Sequence, residues 1–233
     1  MKVGIVNAGN IGLRLGFAWI RLGHDVMLSK DTHPERLQKR VRQFAMEKGI
    51  GEDEIARFQY GSITDAAKFG DVVILSAYFP RLARILKELQ NDGITLSGKL
   101  VIDTMNPLNV DANFNHYHDL KYMERTSVTQ DVQRAFPEAI VFKAFNSMPA
   151  TLLEVQKWAP RRVPPIIFIG GNPSSIDTVR KLIKDTGFKP QFAGYDLNHS
   201  GLLERLGVLL HLVAENEYEG NFDVVFDVME GKA

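Results

Sequence analysis

Four short runs, VGIV (3–6), VVILSA (72–77), LVID (100–103) and PIIFIG (165–170), are almost continuously apolar. A strand turns successive side chains to opposite faces, so a run apolar on both faces belongs in a sheet covered on both sides. Segments with helical spacing lie between and after these runs, at 11–22, 33–48, 63–69, 81–91 and 174–186. Further strand patterns fall at 25–29, 58–61 and 140–145. Strand–helix alternation of this kind predicts an α/β protein with a Rossmann-type, doubly wound and mainly parallel sheet.

A chain of 233 residues has room for one large domain with a small appended lobe. We expect a dinucleotide-binding domain over 1–160 and a small C-terminal α/β lobe over 161–233, with a connector at Arg161-Arg162-Val163-Pro164-Pro165. The helix expected at 200–215 is apolar around much of its circumference, which implies burial on more than one side. That pattern predicts a homodimer formed through this helix, and Gly207 within it would admit a close neighbour.

Formal net charge is zero, so no overall field favours nucleic acid or an anionic membrane. The chain has no cysteine, which excludes disulfides, thiolate metal sites and cysteine nucleophiles. No apolar run approaches the ~20 residues needed to span a bilayer. The sequence opens directly on a strand, KVGIV, with no room before it for a leader. The expectation is a cytoplasmic protein whose partners are small molecules.

The first strand runs into VNAGNIG (6–12). A dinucleotide-binding turn has the order strand, glycine-rich turn, helix, spaced G-x-G-x-x-G, and here Asn7 occupies the first glycine position. Asparagine is among the few residues other than glycine that enter positive φ at little cost. Gly9 would let backbone approach a pyrophosphate, and Gly12 would allow close helix–strand contact. Asn10, Ile11 and Gly12 would offer the N–H groups and positive dipole end of the following helix to phosphate.

The end of the second strand discriminates NAD from NADP, because an acid there accepts the ribose 2′-OH whereas basic or hydroxyl groups suit a 2′-phosphate. The stretch reads LSKDTHPER (28–36). Ser29 and Lys30 favour NADP, Asp31 points the other way, and Arg36 would reach in from the next helix. Lys39, Arg40 and Arg42 read as a solvated helix face. NADP is therefore expected, with NAD possible.

The segment 109–130 is polar and aromatic with no convincing period, as an active-site lid or a disordered excursion would be. Its His116 and His118, near Asp111 and Asp119, are too unspecific in spacing for a metal site, and none is expected.

VIDTMNPL (101–108), VFKAFNSMPA (141–150), IIFIGGNP (166–173) and AGYDLNHSGLLERLGVLL (193–210) together resemble the F420-dependent NADP oxidoreductase family. The cytosolic oxidoreductase domain of the STEAP metalloreductases is related to that family. The resemblance implies that Ala77, Tyr78, Phe79 and Pro80, with Asn106 and Pro107, line a nicotinamide pocket. It implies that Asn146 and Ser147 sit near the nicotinamide carboxamide or the flavin-like ring, as the catalytic pair. It also implies hydride transfer between NADP(H) and F420, FMN or FAD. Members of the family often carry Ser–Asn–Ser–Arg after the second strand, where this chain has Ser29-Lys30-Asp31-Thr32.

Stacking a nicotinamide on a flavin-like ring requires orientation and exclusion of water, which suits a pocket of Pro, Phe, Tyr, Asn and Met. Carbonyl or imine reduction would add a proton donor, and no acid–base pair stands out in the sequence. Lys143 reads as a charge at the sheet edge or paired with an acid. His199 reads as part of a helix start capped by Asn198 or Ser200. An imine reductase of the β-hydroxyacid type needs a large all-helical second domain, whereas the residues after Pro165 are few and include a strand. A dinucleotide sensor that signals through a partner, without turnover, is the alternative.

Overall fold

The computed structural model describes residues 1–30, 34–112, 116–154 and 163–229. Asp31 and the connector residues Arg161 and Arg162 lie outside the described residues. Along the chain come β1 (Lys2–Val6), α1 (Asn10–Arg21), β2 (Asp25–Ser29), α2 (Pro34–Glu47) and α3 (Glu52–Ile55). Then follow β3 (Gln59–Gly61), α4 (Ile63–Phe69), β4 (Val72–Leu75), α5 (Leu82–Asn91) and β5 (Leu100–Asp103). The middle of the chain holds β6 (Leu108–Val110), β7 (His116–His118), α6 (Leu120–Met123), α7 (Val128–Ala135) and β8 (Ile140–Lys143). The last part holds β9 (Pro165–Gly170), α8 (Ile176–Asp185), β10 (Lys189–Phe192) and α9 (Ser200–Glu217).

Eight strands form one sheet in the order β10-β9-β8-β5-β4-β1-β2-β3. All neighbours pair in parallel except β8 and β9, which run antiparallel. The Rossmann-type sheet expected from the sequence is thus present, and β9 and β10 extend it at one edge. The apolar strand runs are explained by alternation. Val3, Ile5, Val72, Ile74 and Ile102 enter one buried cluster, while Val6, Val73, Leu75 and Val101 enter another. Trp19, fully buried on α1, donates its indole N–H to the Leu182 carbonyl at 2.9 Å and so ties α1 to α8.

The segment 109–130 is the main departure from the sequence reading. It contains the antiparallel β6–β7 hairpin, the short helix α6 and the start of α7. The signal for α7 was present: Ser127 and Gln130 form a capping box, each side chain bonding the other's backbone N–H. The start of α9 also differs from expectation. Asp196 accepts the Asn198 N–H to cap the short turn before the helix, and neither Asn198 nor Ser200 caps α9 itself.

The chain passes from β1 to β2 and β3 on one side, then crosses to β4 and β5 on the other. That reversal opens a crevice at the carboxyl ends of β1 and β4, where open α/β sheets hold ligands.

Candidate active site

The crevice is a cleft of about 470 Å³. Its walls come from Asn7, Gly9, Asn10 and Ile11 after β1, Lys30 after β2, and Arg40 on α2. Across it stand Ser76, Ala77, Tyr78, Phe79 and Arg81 after β4, Thr104, Met105 and Asn106 after β5, then Leu108 and Ala150. Three cations and no carboxylate line it among the described residues. The neutral chain therefore concentrates positive charge where a phosphate-bearing ligand would sit.

Asn7 adopts φ 60°, the left-handed conformation that its position in the fingerprint demands. Ser29 holds that turn. Its hydroxyl donates to the Ile5 carbonyl at 2.8 Å and accepts the Asn7 N–H at 3.2 Å, and the residue is fully buried. Ser29 is thus spent on shaping the turn and does not line the cleft.

Gly12 gives its N–H to the Ser76 hydroxyl at 2.9 Å, which leaves the first-turn N–H groups of Asn10 and Ile11 to face a ligand. A Cβ on Gly12 would fall 2.9 Å from the Ile5 side chain and 3.0 Å from Ser76, so glycine there permits the helix to seat on the sheet. Gly9 lines the cleft, where an added Cβ would come 3.3 Å from the Ser76 carbonyl oxygen. Gly9 without a side chain, the first-turn N–H groups of Asn10 and Ile11 and nearby cations fit a dinucleotide pyrophosphate.

The cation from α2 is not the expected one. Arg36 is exposed and outside the cleft, whereas Arg40, one turn further on, lines it and bonds the Asn10 side-chain oxygen through Nη2. A helix repeats its face every three to four residues, so Arg36 and Arg40 lie one turn apart on α2, and Arg40 is the one at the cleft.

Of the residues assigned from the resemblance, Ala77, Tyr78, Phe79 and Asn106 line the cleft, while Pro80, Pro107, Asn146 and Ser147 do not. Asn146 is buried and its Nδ2 donates to Asn106 Oδ1 at 2.9 Å and to the Leu203 carbonyl at 2.8 Å. Asn106 returns a bond from its Nδ2 to the Asn146 carbonyl at 2.7 Å. Asn146 therefore fixes the cleft residue Asn106 and anchors α9. The residue before it, Phe145, is buried with φ 65°, a strained conformation for a bulky side chain.

Lys143 pairs with acids, one of the two placements read from the sequence. Its Nζ lies 2.8 Å from Asp103 Oδ2, 2.7 Å from Glu204 Oε1 and 2.5 Å from the Met105 carbonyl, with all three side chains fully buried. The two carboxylates hold the Lys143 ammonium above its ordinary range against the opposing effect of burial, while burial pushes the Glu204 carboxyl up. This group bolts α9 to the strand ends beneath the cleft. Gly207 completes the fit, because a Cβ there would approach Asn106 Nδ2 to 3.2 Å.

The β6–β7 hairpin forms another wall. His118 Nε2 lies 2.8 Å from His211 Nδ1 on α9. Burial first, then the neighbouring His211, pulls the His118 imidazole down to about 4. Tyr78 and His116 lie 3.1 Å apart, hydroxyl to Nε2, at the cleft's outer rim. Sequence reasoning missed this pair, since 38 residues separate the partners and only the hairpin register brings them together. His199 is exposed, 3.9 Å from Asp196 Oδ2, and does not line the cleft.

Residues 2–107 match the family described as NADP oxidoreductase, coenzyme F420-dependent. No curated protein matches the chain. Among solved structures, an inferred F420-dependent NADP reductase from Arthrobacter sp. FB24 superposes with a TM-score of 0.78 at 20% identity, covering 99% of this chain and 100% of its own. A hypothetical protein from Sinorhizobium meliloti gives 0.66 at 24% identity, covering 85% and 87%. The imine reductase of Streptomyces aurantiacus gives 0.59 at 15% identity, with 94% of this chain matched to 64% of that one. These likenesses are of fold. The matched segment, residues 2–107, is similar to the coenzyme F420-dependent NADP oxidoreductases and holds the fingerprint turn, Lys30, Arg40 and the strand ends that wall the cleft.

Proposed function

We propose that this protein is an NADP(H)-dependent oxidoreductase that passes hydride between the nicotinamide and a flavin-like acceptor, F420, FMN or FAD. The observation that carries this reading is the two-ended cleft. One end offers Gly9, the N–H groups of Asn10 and Ile11, Lys30 and Arg40; the other offers Tyr78, Phe79, Met105, Asn106 and Leu108. The first suits a pyrophosphate and a 2′-phosphate, the second two stacked rings shielded from water. When bound, the nicotinamide supplies the hydride, and the chain's own residues orient and exclude water. On this reading Asn106, held by Asn146, orients the ring, and Ser147, next to Asn146 in the chain, is a supporting residue. Lys30 and Arg40 favour NADP, and NAD is the weaker cofactor on this reading.

Calorimetric titration with NADP and NAD, repeated with FMN or F420 present, tests the proposal. NADP should bind more tightly than NAD, and its binding should strengthen with an acceptor present. Failure to bind either dinucleotide would overturn the reading, as would unchanged NADP affinity in Gly9→Val. Binding that ignores every acceptor would favour the sensor alternative. We place the protein in the cytoplasm as a homodimer acting on small molecules rather than on nucleic acid or membrane; no described helix is long and apolar enough to cross a bilayer.

A further inference from the structure

Besides the two rings, the acceptor end of the cleft must meet the proton balance of the reaction. Among the described residues lining that end, few side chains carry an exchangeable proton. The Thr104 hydroxyl donates to the Leu75 carbonyl at 3.1 Å, and the Ser76 hydroxyl is buried against the Gly12 N–H. Arg81 stays protonated at any working pH. Lys30 and Arg40 belong to the β2 and α2 side. Tyr78 remains, directly after β4, lining the cleft with its hydroxyl 3.1 Å from His116 Nε2.

The hairpin explains why His116 is there. Register pairs Leu108 with His118 and Val110 with His116, so these four residues share one face. Leu108 on that face lines the cleft, and His118 on it is held by His211. The hairpin is thus clasped to α9 at one end of its face and presents an exposed imidazole to Tyr78 at the other.

We infer that Tyr78 donates the proton of this reaction, with His116 relaying it from solvent, and that the second substrate therefore takes up a proton together with the hydride. The inference rests on the dinucleotide reading of the cleft. The substrate class is a conjugated acceptor whose nitrogen or oxygen gains charge as the hydride arrives, as in a flavin, a deazaflavin or an imine. Hydride carries its electron pair from the reduced nicotinamide to the electrophilic atom of the acceptor. The Tyr78 hydroxyl proton passes to the acceptor heteroatom, and the phenolate regains a proton delivered from solvent through the His116 ring. NADPH, a proton and the acceptor become NADP⁺ and the reduced acceptor.

Tyr78→Phe removes the hydroxyl and keeps the ring. With NADPH as donor and F420, FMN and a cyclic imine as probes, it should lower kcat by about 10²-fold, the usual share of general-acid catalysis, and abolish the solvent deuterium isotope effect. His116→Gln should lower kcat with little change in KM, and added imidazole should restore it. Independently of turnover, the His116 ring ¹⁵N signals should shift in Tyr78→Phe. Wild-type kcat and isotope effect in Tyr78→Phe would overturn the inference, as would a wild-type protein that binds NADPH and reduces none of the probes. Absence of NADPH binding would instead remove the reading beneath it.

Discussion

Asn7 shows what a single residue decides here. With φ 60° it makes the turn that glycine usually makes, so Asn7→Gly should keep both stability and NADP affinity. Asn7→Val should cost about 1–2 kcal/mol in chemical denaturation, the usual penalty of a left-handed conformation, and weaken dinucleotide binding with it. Ser29 gives a second test, because its hydroxyl serves the Asn7 N–H and the Ile5 carbonyl. Ser29→Ala strands a buried N–H at about 1–3 kcal/mol, and titrations should show NADPH and NADH weakened alike. Lys30→Ala and Arg40→Ala should weaken NADPH far more than NADH. Equal losses in those variants would place both cations away from the 2′-phosphate. Residue types near β2 suggested a phosphate site from the sequence. Which cation reaches in depends on how α2 is rotated against the sheet, and single residues do not encode that.

At the scale of elements, α9 and the β6–β7 hairpin build the part of the cleft that local patterning concealed. Lys143→Met leaves Asp103 and Glu204 buried without their counter-charge and should cost about 3–5 kcal/mol in urea unfolding. Glu204→Gln should be milder, since one carboxylate still balances Lys143. Burial raises the Glu204 carboxyl, so its contribution to stability is full below the unfolded value near 4.3 and falls as pH rises through the folded one. Stability measured at rising pH should therefore decline less in Glu204→Gln than in wild type. His118 runs the opposite way. Its contribution is present above about pH 6.5 and is lost as pH falls toward the lowered value of about 4. Hydrogen exchange of the β6 and β7 amides should accelerate over that acid window in wild type, through His118 and its partner His211, whose imidazole burial also lowers with Glu215 and His116 facing it, and should respond less in His118→Gln.

For the whole molecule, α9 faces two ways. Leu203, Glu204, Gly207 and Leu210 are buried within the chain, whereas Leu202, Leu209 and Leu212 are 60%, 49% and 50% exposed along a different stripe. The exposed stripe suits the proposed homodimer; light scattering should then give a dimer that Leu209→Glu converts to a monomer. The intramolecular burial has its own physical origin in Lys143, which a lone sequence position could not pair with an acid 61 residues away. Local sequence determined the doubly wound sheet, the fingerprint turn and the helices flanking it. Periodicity, turn chemistry and strand apolarity act over a few residues and leave their mark in order. The capping box at Ser127 left such a mark for α7 as well. The choice of Arg40 over Arg36, the role of Asn146 as an anchor, the buried Lys143 cluster and the Tyr78–His116 pair were decided only by tertiary structure. Each depends on the angle at which one element meets another, and packing across the whole core sets those angles.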